Sequence, residues 1–139
     1  MITHKYTLMC DDIRREDNGK LLLIGVYGQS IAVPQFPATL PSLVFFQGLE
    51  SDRPGSWTVR MRLQHLDTGQ KVMEGMGMIN FRQPGAGANP IRLPGVQFQN
   101  PGTYHFVLDI EGQPDPIMYE FSVVLRIQQG PAVPGQMMR

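Results

Sequence analysis

Residues 117–128, Ile-Met-Tyr-Glu-Phe-Ser-Val-Val-Leu-Arg-Ile-Gln, decide the fold class of this sequence. Apolar side chains occupy every odd position of the stretch, from Ile117 to Ile127. The even positions include Met118, Glu120, Ser122, Arg126 and Gln128. Successive side chains of a β-strand point to opposite faces, so this period of two predicts a strand with one buried face.

The segment before it repeats the alternation behind a turn. Residues 100–102, Asn-Pro-Gly, lead into a period-two run from Tyr104 to Ile110. Residues 102–106 resemble the tyrosine corner of immunoglobulin-like and fibronectin-like sandwiches, in which a Tyr hydroxyl bonds back to the backbone. We therefore expect a structural role for Tyr104. Phe106 stands where immunoglobulin domains carry their second cysteine, so the resemblance concerns the architecture alone.

Turn-forming residues divide the whole chain into short runs. The 139 residues include 15 Gly and 12 Pro, and only 17% of them are charged. No helical period extends beyond two turns. We predict an all-β, single-domain antiparallel two-sheet β-sandwich of about eight strands, immunoglobulin-like or related, over residues 1–129. Residues 130–139 read as a Pro/Gly-rich C-terminal tail, and a jelly roll or calcium-lipid-type sandwich is the alternative architecture.

Charge and hydropathy argue against several classes of function. Twelve basic and 12 acidic residues give a formal net charge of zero, so the chain lacks the field on which nucleic-acid binders depend. No apolar segment approaches the roughly 18 residues of a membrane span. Cys10 is the only cysteine, so no disulfide within the chain can stabilise the fold. We expect a cytoplasmic protein without a cofactor.

The first two strands are predicted to form a hairpin. Its turn is Asn18-Gly19, a pair that tolerates the positive φ angles of a tight connection. Residues 21–27, Leu-Leu-Leu-Ile-Gly-Val-Tyr, are apolar on both parities and predict a central strand covered on both faces, or a strand that curls at Gly25 and Gly28. Four residues of the first strand share one parity and are predicted to face the core together: Ile2, Tyr6, Leu8 and Cys10.

Three further segments are predicted to be irregular. Residues 33–41 contain three prolines and are expected to cross between the sheets as an extended connector. Gly75 and Gly77 disturb the phase of the strand at 71–82, which predicts a bulge there. Residues 84–90, Pro-Gly-Ala-Gly-Ala-Asn-Pro, predict a loop.

Several motifs resemble a family of small uncharacterised proteins from bacteria and their phages. They are Cys10-Asp11-Asp12-Ile13-Arg14 with Glu16, Gly19-Lys20, Leu23-Ile24-Gly25-Val26-Tyr27, Phe36-Pro37, Leu40-Pro41, and Pro101-Gly102 with Tyr104 and Phe106. The resemblance extends from Tyr6 to about Val123. It implies no activity, cofactor or catalytic residue, because that family has no assigned function.

The first hairpin also carries the weak metal candidates Asp11, Asp12, Glu16 and Asp17. Sandwich domains can bind calcium with aspartates at one loop end. The spacing matches no known calcium loop, however, and Arg14, Arg15 and Lys20 would neutralise the acids. A fixed network of ion pairs is the more economical interpretation. Cys10 is expected to serve core packing rather than nucleophilic chemistry.

The candidate partner-binding residues are Arg60, Arg62, Arg126 and Met118. Arginine suits forked polar contacts, and methionine adapts to varied interfaces. The competing interpretation is an ordinary polar sheet face on which the arginines pair with Glu74 and Glu120.

No recognisable catalytic arrangement accompanies these residues. We therefore expect a non-enzymatic binding or assembly module that contacts a protein partner or self-associates as a homo-oligomer through an edge strand or a Met-bearing face. Neither nucleic acid nor a membrane is expected as a partner. The alternative is a small-molecule or carbohydrate-binding sandwich with Trp57, Tyr27 or Tyr119 as a stacking platform. An enzyme is the third hypothesis.

Overall fold

The computed structural model describes residues 1–127, which form nine β-strands and no helix. The strands are β1 (Ile2–Arg15), β2 (Leu21–Tyr27), β3 (Ser30–Val33), β4 (Ala38–Ser51), β5 (Gly55–His65), β6 (Lys71–Phe81), β7 (Gly85–Phe98), β8 (Gly102–Ile110) and β9 (Ile117–Leu125). The predicted tail at 130–139 lies outside the described residues.

The strands form two sheets that enclose one core. The four-stranded sheet has the order β2-β1-β4-β7, and the five-stranded sheet has the order β3-β9-β8-β5-β6. This confirms the predicted all-β two-sheet sandwich, with nine described strands instead of about eight. Neighbouring strands are antiparallel except that β3 pairs with β9 in parallel, a pairing that was not predicted.

Aromatic rings join the two sheets across the core. Phe45 of β4 stacks on Phe106 of β8 with ring centroids 4.1 Å apart. Phe121 of β9 lies 5.7 Å from Phe45, and Tyr104 of β8 stacks on Phe121. Residues 43–49 of β4 are all buried, although alternate side chains point to opposite faces of the sheet. The strand covered on both faces is therefore β4.

The prediction that residues 21–27 form the central strand is wrong. They form β2, which lies at the edge of the four-stranded sheet and pairs with β1 alone. Leu22 and Val26 are 51% and 53% exposed. An apolar run on both parities is compatible with burial on both faces, but the two interior positions of this sheet belong to β1 and β4. Of these, β4 has the long run that is buried on both faces.

A bulge in β1 reverses the predicted orientation of its side chains. The register between β1 and β4 shifts between His4 and Tyr6. Ile2 before the shift and Met9 after it are both in the core, whereas Tyr6 and Leu8 are exposed on the outer face. The prediction that Ile2, Tyr6, Leu8 and Cys10 share the core face is therefore wrong, although Cys10 is buried among its neighbours on that outer face.

The irregular segments were predicted with mixed success. The connector after β3 crosses from the five-stranded to the four-stranded sheet, as predicted, and contains a cis Phe36–Pro37 bond. β4 begins earlier than expected, at Ala38. Residues 85–90 are strand rather than loop, because β7 is an edge strand and tolerates prolines. The β5–β6 register shifts opposite Leu63 and Gln64 rather than at the glycines 75 and 77.

Two turns have the geometry expected of their residues. Gly19 has a φ of +86°, and the Asn18 side chain accepts a hydrogen bond from the Lys20 amide at 3.0 Å. Tyr104 is 1% exposed, and its hydroxyl donates to the carbonyl oxygen of Asn100, four residues upstream. The Tyr104 bond fixes the start of β8 to the turn that precedes it.

Removal of the Tyr104 hydroxyl tests this anchor. We expect Tyr104→Phe to lower the free energy of unfolding by about 1–3 kcal/mol, because the Asn100 carbonyl loses its donor. Denaturant titration measures the change, and Tyr6→Phe serves as the matched control because Tyr6 is 47% exposed. Equal stability of the two variants would contradict a structural role for the hydroxyl.

Candidate interaction surfaces

The first hairpin separates from the sandwich beyond Cys10. The pairing of β1 with β4 ends at Cys10 and Val44, while β4 continues along β7. From residue 11 onward, β2 is the only one of the nine described strands that pairs with β1. We call the two-stranded ribbon formed by residues 11–25 the β-arm.

Ion pairs hold one face of the base of the β-arm. The Asp12 carboxylate accepts hydrogen bonds from the Ile13 amide at 2.8 Å and the Arg14 guanidinium at 3.1 Å, and it pairs with Arg92 of β7 at 2.9 Å. The same Arg92 nitrogen donates to the Ile13 carbonyl at 2.8 Å. The Ile13 amide, Arg14 and Arg92 hold the pKa of Asp12 below its usual value, despite an opposing desolvation effect.

The opposite face of that base is held by Asp11. Its carboxylate accepts a hydrogen bond from the Tyr27 hydroxyl. Burial and this bond to the Asp11 carboxylate raise the pKa of Tyr27. Gly25 has a φ of +67°, and a side chain there would collide with the Asp11 carboxylate. The β-arm therefore meets the sheet at a bend that favours glycine.

The four metal candidates are not brought together. Asp11 and Asp12 are consecutive residues of β1 and point to opposite faces of the hairpin, while Glu16 and Asp17 belong to the turn region. No group of three or more His, Cys, Asp or Glu side chains that could hold a metal ion occurs within residues 1–127. An ion-pair network occurs at Asp12, with Arg14 and Arg92 rather than with Arg15 or Lys20.

An apolar surface runs from β1 onto the β-arm along the outer face of the four-stranded sheet. Its exposed members are Tyr6 (47%), Leu8 (37%), Leu22 (51%), Ile24 (40%) and Val26 (53%). We call this set the apolar face. Its position was not predicted, because Tyr6 and Leu8 were expected in the core and β2 was expected to be covered on both faces.

Gly48 of β4 shapes one end of the apolar face. It lies opposite Tyr6 in the β1–β4 register, and a side chain at Gly48 would overlap the Tyr6 ring. The ring also stacks on Phe46, with centroids 6.2 Å apart. Tyr6 therefore lies flat across the sheet.

The outer face of the five-stranded sheet carries three of the four candidate partner-binding residues. Arg62 lies opposite Val107, which lies opposite Met118, so the three form one row across β5, β8 and β9. Arg60 lies in the next row, opposite Met76 of β6. We call Arg60, Arg62, Met76, Met78 and Met118 the Arg–Met face. Its methionines are 54–68% exposed.

Arg126 does not lie on this face. It follows the end of β9, where its amide donates to the Val33 carbonyl at 2.6 Å. Eight residues of extended chain separate it from Met118, a distance of about 26 Å.

The ion pairs of the Arg–Met face also differ from the expected pairs of the arginines with Glu74 and Glu120. Arg62 pairs with Asp109 at 3.1 Å, whereas Glu74 pairs with Lys71 and Glu120 with His105. Arg60 has no ion pair among the described residues. A groove of about 500 Å³ lies beside it and is lined in part by Lys71, Glu74 and Gly75.

The three rings considered as a stacking platform belong to the sandwich itself. Trp57, Tyr27 and Tyr119 are half-buried and pack against the core. Trp57 meets Phe81 edge to face, with centroids 6.1 Å apart. The Tyr119 hydroxyl donates to the Gly28 carbonyl at 3.3 Å.

A cavity opens at the seam where β6 and β7, from different sheets, approach each other. This seam cavity has a volume of about 300 Å³, and its lining includes Leu49, Phe81 and Asn89. Gln47 lies opposite Asn89 in the β4–β7 register and is fully buried. Both side-chain amide atoms of Gln47, and Nδ2 of Asn89, lack a hydrogen-bond partner among the described residues. No feature of the sequence indicated these unpaired amides, because they depend on the register of β4 and β7.

Cys10 lies beneath the outer face with no exposed surface. Burial raises the pKa of its thiol, and the negative charge of the neighbouring Asp11 raises it further. The thiol donates to the Asp12 carbonyl at 3.4 Å. A buried, protonated thiol is a packing group rather than a nucleophile.

The geometry thus defines a two-sheet β-sandwich with surface features and one seam cavity. The chain belongs to a family of unknown function, DUF6941, whose model matches residues 5–124. None of the curated proteins compared with the sequence matches it.

One similar solved structure is that of a β-glucosidase, EmGH1, from Erythrobacter marinus. It is 10% identical with a TM-score of 0.53, and the match covers 89% of this chain but only 15% of the glucosidase. Such a likeness shows the fold alone. None of residues 1–127 forms a helix with the length and apolarity to cross a membrane.

The ion pairs of Asp12 predict a pH-dependent contribution to stability. Because folding lowers the pKa of Asp12, its contribution is present above the unfolded-state value of 3.8 and is lost as the pH falls through the folded-state value. We expect Asp12→Asn to destabilise the protein at about pH 7 and to have a smaller effect at about pH 2. Denaturant titration at both pH values measures this, with Asp115→Asn in an exposed turn as the control. An effect of equal size at both pH values would contradict it.

Proposed function

We propose that the protein is a non-enzymatic binding or assembly module that acts through protein–protein contacts. The apolar face carries this proposal. It places five large side chains, each more than a third exposed, on one continuous surface. Contiguous exposed apolar surface of this kind is a mark of interaction sites, whereas singly scattered apolar residues are ordinary.

The second outer face supports the same proposal. Arginine and methionine are enriched in protein interfaces, and both occur in neighbouring rows of the Arg–Met face. The two faces are on opposite sides of the sandwich, because each is the outer side of a different sheet. A module with two different outer surfaces suits assembly, since it can contact two partners at once. Arg126 is a less favoured contact because it lies away from both rows.

The immunoglobulin-like interpretation of the architecture fits this role. The order β1-β4-β7 against β9-β8-β5 matches the A-B-E and G-F-C strands of immunoglobulin-type sandwiches. The Tyr104 bond supplies the corner found in many of them. Such domains often act by binding. We infer a cytoplasmic protein, because a single cysteine cannot form a disulfide within the chain.

Capture from the source cell tests the proposal. We expect the tagged protein to retain partners, including untagged copies of itself. Ile24→Lys or Arg60→Glu should lower the captured amount at least about tenfold, because the first places an unpaired charge in the contact and the second reverses a charge there. Val124→Lys is the control, since Val124 is 41% exposed on β9. Identical captured sets for all variants and for the tag alone would contradict the proposal. Circular dichroism verifies that each variant folds.

A small-molecule-binding function is the second candidate, and the seam cavity favours it. The unpaired side-chain nitrogen of Asn89 lies in the lining of this cavity and would donate a hydrogen bond to a neutral polar ligand such as a sugar hydroxyl or an amide. The rings of Trp57, Tyr27 and Tyr119 lend little to it, because they pack against the core.

Thermal unfolding with added glucose, N-acetylglucosamine or acetamide tests this second candidate. One of these probes should raise the unfolding midpoint of the wild-type protein and leave that of Asn89→Ala unchanged, because a ligand stabilises only the folded state that binds it. An unchanged wild-type midpoint with all three would remove the support for the candidate.

A further inference from the structure

We propose that the β-arm binds the β-arm of a second copy of this chain, with the two β2 strands antiparallel. The result is a continuous four-stranded ribbon, β1-β2-β2-β1. This inference rests on the proposed function and names the partner of one part of its apolar face.

No third strand pairs with the β-arm among residues 1–127. A two-stranded hairpin is at best marginally stable in water, whereas three or more strands with an apolar face are stable. Within residues 1–127, the arm is held to the rest of the protein only at its base, through Arg92, the Asp11–Tyr27 hydrogen bond and the end of β1 at Cys10. All of β2 except Gly25 consists of large apolar or aromatic residues, and half of them are exposed.

β2 also presents free backbone groups along its outer edge. The Glu16 amide donates to the Lys20 carbonyl at 2.8 Å, so the paired positions of the hairpin alternate from there. By that alternation, the backbone N–H and C=O groups of Leu22 and Ile24 point toward β1, and those of Leu21 and Leu23 point away from it. Ile13 lies opposite Leu23, and its carbonyl accepts a hydrogen bond from Arg92 rather than from β2, which agrees with this assignment.

β2 lacks the features that protect the other sheet edges. Charged residues, prolines and short length commonly prevent edge-to-edge pairing. β7 has prolines at 90 and 94, β3 has four residues, and β6 carries Lys71 and Glu74. β2 has neither charge nor proline over its seven residues. The bend at Gly25 limits regular pairing to residues 21–25, a usual strand length.

The edge of β2 is also complementary to itself. A two-fold axis at Leu23 places Leu22 of each copy opposite Ile24 of the other. Leu23 then exchanges backbone hydrogen bonds with its counterpart, and Leu21 lies opposite Gly25. The Leu22–Ile24 pairs join exposed apolar side chains, and none of the pairs places a charge opposite a like charge. A second copy therefore fits this edge through the same residues on both sides, as a two-fold interface requires.

Light scattering and cysteine cross-linking together test the proposal. The wild-type protein should be a dimer, Ile24→Lys a monomer, and Val124→Lys a dimer. For cross-linking, Leu22→Cys is mixed with Ile24→Cys under mild oxidation. Their Cα atoms would be about 4.5 Å apart across the interface, within disulfide range. Each variant alone should link poorly, because like positions would be about 8 Å apart. Cys10 does not interfere, since it has no exposed surface.

Each outcome decides the matter. A dimer that Ile24→Lys abolishes, with linkage in the mixture alone, supports the proposal. A wild-type monomer at high concentration overturns it, as does a dimer that links equally in the single variants and the mixture. If the wild-type protein is a monomer whose captured partners still depend on Ile24, the proposed function stands and only this inference fails.

Discussion

The stack of Phe45 on Phe106 is the contact on which the rest of the structure depends. It joins the central strand of one sheet to an interior strand of the other, at a centroid distance of 4.1 Å. Phe121 and Tyr104 pack around it, and Tyr104 in turn fixes the turn before β8. Because these large rings fill the space between the sheets, the outer faces do not contribute to holding the sheets together. They are available for other contacts.

Residues with simple alternation revealed their strands in the sequence. The runs that became β8 and β9 have apolar residues at every second position, and this alternation predicts a strand with one buried face in each case. The corner at Tyr104 was recognisable because it depends on a few neighbouring residues. Local patterns of this kind are sufficient to predict the two-sheet class, since each run only needs to bury one face against another.

The candidate surfaces depended on features that a local pattern does not contain. The bulge near Lys5 reverses the faces of β1, so Tyr6 and Leu8 were predicted to be inside. The apolar run of β2 was interpreted as central because composition does not reveal which strand has two neighbours. The pairing of Gln47 with Asn89 depends on the register between distant strands. Strict alternation predicted that Arg60, Arg62 and Met118 point outward, and the register places them in neighbouring rows of one outer face.

The flat position of Tyr6 over Gly48 has a consequence for how the family can diverge. Any residue larger than glycine at position 48 would lift the ring from the sheet, and a smaller residue at position 6 would leave the backbone of β4 uncovered. Neither position can change freely without the other. Among relatives, we expect the two sites to covary, with glycine at one accompanying an aromatic ring at the other. An alignment of the family would thus record the geometry of this outer surface.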